Sequence, residues 1–249
     1  MKITHYSLIA LIIICASSCK KNTSETLHET KTEVILKDSV SFIVNNTQYV
    51  FNEKNTFGVS NRAVNIKPSK TLIKDGKLGI ETGGVYWYGT KDSTMYSVFQ
   101  RLGSNKLGEE FGISFNKRFS DNQLHKSAAL LVPKDNAEIF RLGKIPFAVD
   151  LDKENTMDGI SIDFRAPGLT KNLSTVIPGF SILVRSGLKK DIQDNSSFEI
   201  TKIEKIQDST YLLEAKFELN LFNTDEQLYR VKNGFLRLRV NMVPRPGFY

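Results

Sequence analysis

Acidic side chains recur at alternate positions in the stretch 149–159, which reads VDLDKENTMDG. The acidic residues of this stretch are Asp150, Asp152, Glu154 and Asp158. Oxygen ligands at every second position are what a calcium-binding loop supplies. The helix–loop–helix form of that loop also needs a glycine and a later glutamate, where this chain has Asn155 and Ser161. A polar turn after a strand explains the same residues, so we predict no metal site and keep calcium as the alternative.

Residue types that perform catalysis are sparse. His125 is the histidine outside the N-terminal segment, so any serine–histidine–aspartate arrangement must use it. Ser127 follows it without the spacing of a nucleophile elbow. Glycoside hydrolysis needs two carboxyl groups at a defined separation, which a sequence does not show. The carboxylates open to such a role are Glu109, Glu110, Asp163 and Glu199. We predict no catalytic residue and no cofactor, with a hydrolase acting on polysaccharide as the alternative.

Three consecutive aromatic residues, Tyr86, Trp87 and Tyr88, follow a pair of glycines. Flat rings stack on sugar rings and tyrosine hydroxyls bond sugar hydroxyls, so this triplet is the predicted ligand contact. On a strand, however, Trp87 faces the side opposite to its two neighbours. Core packing of at least one of these rings is the competing interpretation.

Opposite charges are placed to meet across two predicted strands. Glu214 and Glu218 lie on one strand, and Arg237 and Arg239 lie on another. If the strands pair, we expect a charge ladder that contributes ~0.2–1 kcal/mol per pair. An anion or carboxylate site built on the arginines is the alternative.

The N-terminus has the order of a secretory signal. A weakly basic start leads into the apolar run Leu8–Ile14, and small residues follow up to Cys19. The run is shorter than the ~20 apolar residues of a membrane span. Small residues that end on a cysteine resemble the lipobox of bacterial lipoproteins, with Ala16 where leucine is usual. The resemblance implies cleavage before Cys19 and its acylation, for example with palmitate. A signal peptide cut nearby is the alternative.

The organisation that follows has three parts: a signal peptide over 1–18, a lipid-anchored polar tether over 19–33, and a single domain over 34–249. The chain has two cysteines, of which Cys15 leaves with the signal and Cys19 carries lipid. No thiol remains for a disulfide, a zinc site or a nucleophile, so an apolar core must hold the fold. The formal net charge is +7, but without a basic, aromatic-interleaved cluster we predict no nucleic-acid partner.

Period-two alternation of apolar and polar residues indicates strands. Thr210–Phe222 and Gly234–Val243 alternate over the longest stretches, and Asn45–Asn46 is a natural hairpin tip. Many short strands with turn signals between them predict an all-β, antiparallel sandwich or jelly-roll. Asp121–Leu131 and Asp135–Leu142, separated by a proline, predict one or two short helices.

The second half of the chain resembles uncharacterised lipoprotein families of Bacteroidota. The segments that carry the resemblance are Gly143–Lys144–Ile145–Pro146–Phe147, Asp158–Gly159–Ile160–Ser161–Ile162, Ser174–Thr175, Ser197–Phe198–Glu199–Ile200–Thr201 and Asn233–Gly234–Phe235. The resemblance implies a lipobox, a tether and a β-sandwich, and no activity. Lys20–Lys21–Asn22 stands where surface-exported members carry an acidic run. We therefore expect an outer-membrane protein facing the periplasm, with surface display as the alternative, that binds a protein or glycan partner.

Overall fold

The two strands with the clearest alternation pair with each other along their length. Thr210–Phe222 and Leu228–Asn241 run antiparallel, and Leu213 lies opposite Leu238. Both leucines are fully buried, whereas the charged residues between the apolar ones are half-buried or exposed. Alternation therefore places one side of this ribbon in the core and the other at the surface, as predicted.

The computed structural model describes residues 37–52, 58–70, 87–88, 91–104, 108–127, 130–149, 158–169, 171–177 and 186–244. These residues belong to the unit Leu36–Tyr249. The strands in chain order are β1 (Ser39–Val44), β2 (Thr47–Asn52), β3 (Gly58–Lys70), β4 (Trp87–Tyr88), β5 (Ser93–Ser104), β6 (Glu109–Ser120), β7 (Leu124–Ser127), β8 (Leu130–Pro133), β9 (Gly143–Lys144), β10 (Gly159–Arg165), β11 (Leu173–Ser174), β12 (Ser197–Gln207), β13 (Thr210–Phe222) and β14 (Leu228–Asn241).

One long sheet supplies both layers of the fold. Its order in the described part of the chain is β2-β1-β14-β13-β11-β10-β6-β5-β3-β4, with β12 on β13 and β9 on β12. Among the described residues, the ladder joins its two halves through Ser174 of β11 and Phe222 of β13, and the segment after β9 also bridges them, with Phe147 paired to Ile160 of β10. The half that contains β13 and β14 packs on the half that contains β6 and β10, which confirms the antiparallel sandwich.

Aromatic rings fill the space between the layers. The Phe42 ring of β1 lies 5.0 Å from that of Phe164 in β10, and the Phe51 ring of β2 lies 6.3 Å from that of Phe111 in β6. Phe217 of β13 joins the same cluster, 6.4 Å from Phe111. Edge-to-face and offset pairs at these distances stabilise a core beyond their buried area.

A buried carboxylate ties the two layers together at one end of the core. Asp38 is 3% exposed. It accepts hydrogen bonds from the Gln100 side-chain amide of β5 at 2.9 Å and from the Arg239 backbone and Nε of β14 at 2.7 and 3.1 Å. A buried charge needs such partners, because burial without them is costly.

The prediction of short α-helices is wrong for the described residues. Asp121–Gln123 forms a single 3-10 turn, and β7 and β8 then pair as a hairpin with Leu124 opposite Pro133. The second stretch holds only a turn at Asn136, whose carbonyl accepts from the amides of Ile139 and Phe140 at 3.0 and 2.9 Å. Aspartate, asparagine and histidine are weak helix formers, so strand pairing prevails here. Among the residues described, no helix has the length and apolarity needed to cross a membrane.

Candidate functional site

The residues predicted to contact a ligand are only partly described. Trp87 and Tyr88 form β4, which pairs in parallel with Ser69–Lys70 at the end of the sheet. Tyr86 and the predicted lipid-attachment residue Cys19 lie outside the described residues. Whether the aromatic triplet contacts a sugar or the core therefore stays a prediction.

The acidic stretch considered for calcium shows a structural role at its described end. Asp150, Asp152 and Glu154 lie outside the described residues. Asp158 accepts a hydrogen bond from the Arg118 backbone N–H at 2.7 Å and so fixes the start of β10. In the ranges that the structure describes, no group of three or more histidine, cysteine, aspartate or glutamate residues is placed to hold a metal ion.

The charge ladder is confirmed at one rung and wrong at the others. Glu214 lies opposite Arg237, with 2.8 Å between its carboxylate and Nε. Glu218 pairs instead with Arg230 at 3.2 Å, and Arg239 pairs with the buried Asp38. The antiparallel register that sets Glu214 opposite Arg237 places Arg239 opposite Leu212, and it puts Glu218 four residues further along β13, where the register changes after Phe217.

This change of register is a β-bulge on β14. Phe217 lies opposite Gly234, and Leu219 lies opposite Val231, so β14 has one residue more than β13 over this interval. The bulge contains Asn233, whose φ of 52° is left-handed. Gly234 must lack a side chain, because a Cβ there would collide with the Phe217 ring. Bulges bend the strand and turn neighbouring side chains, and they are frequent next to functional sites.

A groove opens on the outer face of the sandwich at this bulge. One wall is the row formed by Glu199 of β12, Lys216 of β13 and Phe235 of β14, which are paired across the three strands. The other wall is formed by Ser197, Glu218 and Asn233. The floor is the Phe217–Gly234 pair. We call this feature the bulge groove.

The bulge groove combines an aromatic ring with balanced charge. Phe235 is half-buried, and the guanidinium of Arg237 lies 5.5 Å from its ring centroid. Glu199, Lys216 and Glu218 are exposed, and Arg230 pairs with Glu218. Two carboxylates thus face one ammonium and one guanidinium. A concave site with a ring and a few convergent polar groups is the usual form of a ligand site.

A second polar cluster lies on the opposite outer face. The Glu110 carboxylate of β6 forms an ion pair with Arg101, 3.0 Å from its Nε, and accepts a hydrogen bond from an Arg165 amino group at 3.3 Å. Asp163 lies beside them on β10, opposite Gly112. Asp163 is exposed as a residue, yet desolvation of its carboxyl group by the surrounding side chains raises its pKa above the usual range, and nearby Glu110 adds to this. A Ser174 hydrogen bond and Arg101 partly offset the shift. The structure thus brings together two of the carboxylates considered for catalysis.

The other residues considered for catalysis lie at three separate positions. His125 is exposed in the β7–β8 hairpin, opposite Val132. Glu109 lies at the start of β6, opposite Ser104. Glu199 lies in the bulge groove between two lysines, Lys144 of β9 and Lys216 of β13.

A further recess, between residues 144–149 and 190–198, is lined by polar groups that form hydrogen bonds within the fold. Its polar lining includes Gln193, which is 7% exposed. The Gln193 amide donates to the backbone carbonyls of Thr175 and Asn220 at 3.1 and 2.7 Å, and its oxygen accepts from Ser196 at 2.7 Å. These bonds hold the segment before β12 against β13. The buried polar groups of this recess therefore stabilise the fold.

Comparison with known proteins adds no relative: no family model, no curated protein and no solved structure gives a significant match to the chain. The resemblance to Bacteroidota lipoproteins therefore stays a prediction.

Proposed function

We propose that this protein is a lipid-anchored binding protein of the bacterial cell envelope that holds its partner in the bulge groove. The N-terminal signal that ends on Cys19 supports the anchor, because an acylated cysteine would leave the domain outside the cytoplasm and tethered to a bilayer. We place the anchor in the outer membrane with the domain facing the periplasm. The partner is a glycan or a protein of the envelope.

The observation that carries the binding role is the groove itself. The outward-facing sides of a two-layer sandwich are ordinarily flat, and ordinary surface charges on them pair across strands. Here the bulge at Asn233 opens the face, and Lys216 and Glu199 line the opening next to the Phe235 ring. Polar groups that converge on one exposed ring fit a binding site better than they fit a structural ladder.

A hydrolase is the second candidate, because Glu199 and Glu218 line the same groove as diagonal neighbours on β12 and β13. Diagonal positions place Cβ atoms roughly 7–8 Å apart, within reach of a carboxylate pair for glycoside cleavage. Such a pair needs an acid of raised pKa. A carboxyl group with a raised pKa, that of Asp163, lies on the opposite face and outside the groove. Binding is therefore the better supported role.

The anchor is tested by replacing Cys19 with alanine and labelling cells with a fatty-acid analogue. We expect the substituted protein to lose the label and to leave the membrane fraction. Cys15→Ala is the matched control, because that residue would be removed with the signal. Membrane association and labelling that persist in Cys19→Ala would contradict the proposal.

The binding role is tested by co-sedimentation of the detergent-solubilised full chain with detergent-insoluble envelope material, because the lipid anchor would otherwise carry every variant into the membrane pellet. We expect the combined substitution Glu199→Gln, Lys216→Ala and Phe235→Ala to abolish sedimentation. The combined substitution Glu110→Gln, Arg101→Ala and Phe99→Ala on the opposite face serves as control and should sediment like the parent. Equal sedimentation of both variants would remove the groove from the proposal.

A further inference from the structure

We propose that the bulge groove binds one ring of a neutral saccharide. This inference rests on the proposed binding function and names the ligand class for it. The dimensions of the groove, its aromatic wall and its charge balance carry the inference.

The groove has the dimensions of a single sugar ring. Its two walls are rows on the same face of neighbouring strands, two residues apart along each strand. Two residues span about 6.8 Å along a strand, and three strands span about 10 Å from the first to the last. The groove has a volume of about 360 Å³, at the small end of the range for ligand sites, so it suits one sugar ring better than a long peptide segment.

The chemistry of the walls suits the two kinds of surface that a sugar presents. The C–H face of a pyranose packs on an aromatic ring, and Phe235 is the ring that lines the groove. The hydroxyls around the edge need both donors and acceptors. Glu199 and Glu218 supply acceptors, the Lys216 ammonium supplies donors, and the Asn233 amide supplies both.

Charge favours a neutral ligand over an acidic one. Lys216 is the cation among the lining residues, and it stands between Glu199 and Glu218. The nearby guanidinium of Arg230 is engaged by Glu218 at 3.2 Å, and that of Arg237 by Glu214 at 2.8 Å. Glu199 also lies opposite Lys144, so the carboxylates and cations at the groove are close to balance. A uronate or sulfate group would therefore gain little electrostatic attraction over a neutral sugar.

The test uses the full-length protein in detergent micelles on an array of neutral oligosaccharides, made of glucose, mannose, galactose, xylose or N-acetylglucosamine units, and of uronic-acid oligomers. We expect a neutral oligosaccharide to bind. In titration calorimetry, Phe235→Ala and Glu199→Gln should each weaken that binding roughly tenfold or more, because each removes one of few contacts to a small ligand. Both positions are at the surface, and a retained strand spectrum checks the fold of each variant.

Phe99→Ala is the matched control, since Phe99 lies under an arginine on the opposite face in the same way, 5.2 Å from Arg101. It should leave the affinity unchanged. The inference is overturned if no neutral oligosaccharide binds, if uronic-acid oligomers bind better, or if Phe235→Ala binds as the parent does. If sedimentation with envelope material depends on the groove but no saccharide binds, this inference is overturned and the proposed function is kept. If neither groove-dependent sedimentation nor saccharide binding is observed, both this inference and the proposed function are rejected.

Discussion

The two outer faces of the sandwich carry the same three residue types in nearly the same arrangement. On one face Arg101 lies 5.2 Å from the Phe99 ring and 3.0 Å from the carboxylate of Glu110. On the other, Arg237 lies 5.5 Å from the Phe235 ring and 2.8 Å from Glu214. Among the described residues, one of these sets lines the bulge groove and the other lies on evenly paired strands, so residue type alone does not make this site.

The difference lies in the register of the strands beneath. Around Phe99, β5, β6 and β10 pair without a shift, and Gly112 lies between Arg101 and Asp163. The Phe99 ring covers Gly112, since a Cβ there would meet its Cε2 at 3.1 Å. Around Phe235, β14 gains a residue and the face opens. A single inserted residue thus separates a flat charged surface from a concave one.

The largest expected contrast is between the two glycines that lie against phenylalanine rings. Gly234→Ala should lower the free energy of unfolding by about 2–3 kcal/mol, because the added methyl meets the core ring of Phe217, which is 3% exposed and has no room to move. Gly112→Ala should change it by less than about 1 kcal/mol, because the half-buried Phe99 ring can yield towards solvent. Urea unfolding of both variants measures the difference. Equal losses would show that the two rings are held alike.

The strands of both faces follow from local pattern, which is why they could be predicted. The alternation in β13 and β14 is visible in the sequence, and so is the Asn45–Asn46 tip, where both residues take positive φ, 49° and 61°. The helix predicted over Asp121–Leu131 failed because its apolar spacing suits a hairpin equally well, and only pairing between β7 and β8 decides.

The groove depends on how β13 and β14 pair, which the sequence of neither strand shows alone. Asn233–Gly234 is a visible turn signal, yet it is a bulge here because Gly234 falls opposite Phe217 of the preceding strand β13. The predicted ladder failed because the partners across the strands were unknown: with Glu214 opposite Arg237, Arg239 falls opposite Leu212 and Glu218 pairs with Arg230. The pairing register of the strands, rather than the residue types, is what could not be predicted from the sequence.

A middle-sized effect is expected from neutralising the central carboxylate on each face. Glu214→Gln should cost about 1 kcal/mol, because Glu214 and Arg237 are 19% and 28% exposed and their bond is partly shielded from water. Glu110→Gln should cost less than about 0.5 kcal/mol, because Arg101 and Arg165 are 40% and 57% exposed. Removal of the Glu110 charge also relieves Asp163. Chemical denaturation of both variants gives the ranking, and a larger loss in Glu110→Gln would reverse the comparison.

The smallest expected effect, and the one with the opposite sign, belongs to Asp163. Its pKa is raised in the fold, so the folded state favours the protonated carboxyl. That contribution is present below the pKa of the unfolded chain and is lost as pH rises through the higher pKa of the folded state. Asp163→Asn imitates the protonated form. It should therefore match the parent near pH 3.5 and exceed it in stability at pH 7, by less than about 0.5 kcal/mol because this residue is exposed.

Thermal unfolding of Asp163→Asn and its parent between about pH 3.5 and 7 measures this divergence. Glu218→Gln is the matched variant on the grooved face, where the carboxylate has its own partner, Arg230, at 3.2 Å. It should be less stable than the parent at pH 7, because neutralisation there removes an ion pair instead of relieving a crowded charge. If Asp163→Asn also lost stability at pH 7, Asp163 would be a properly paired member of its cluster, and the two faces would differ in shape alone.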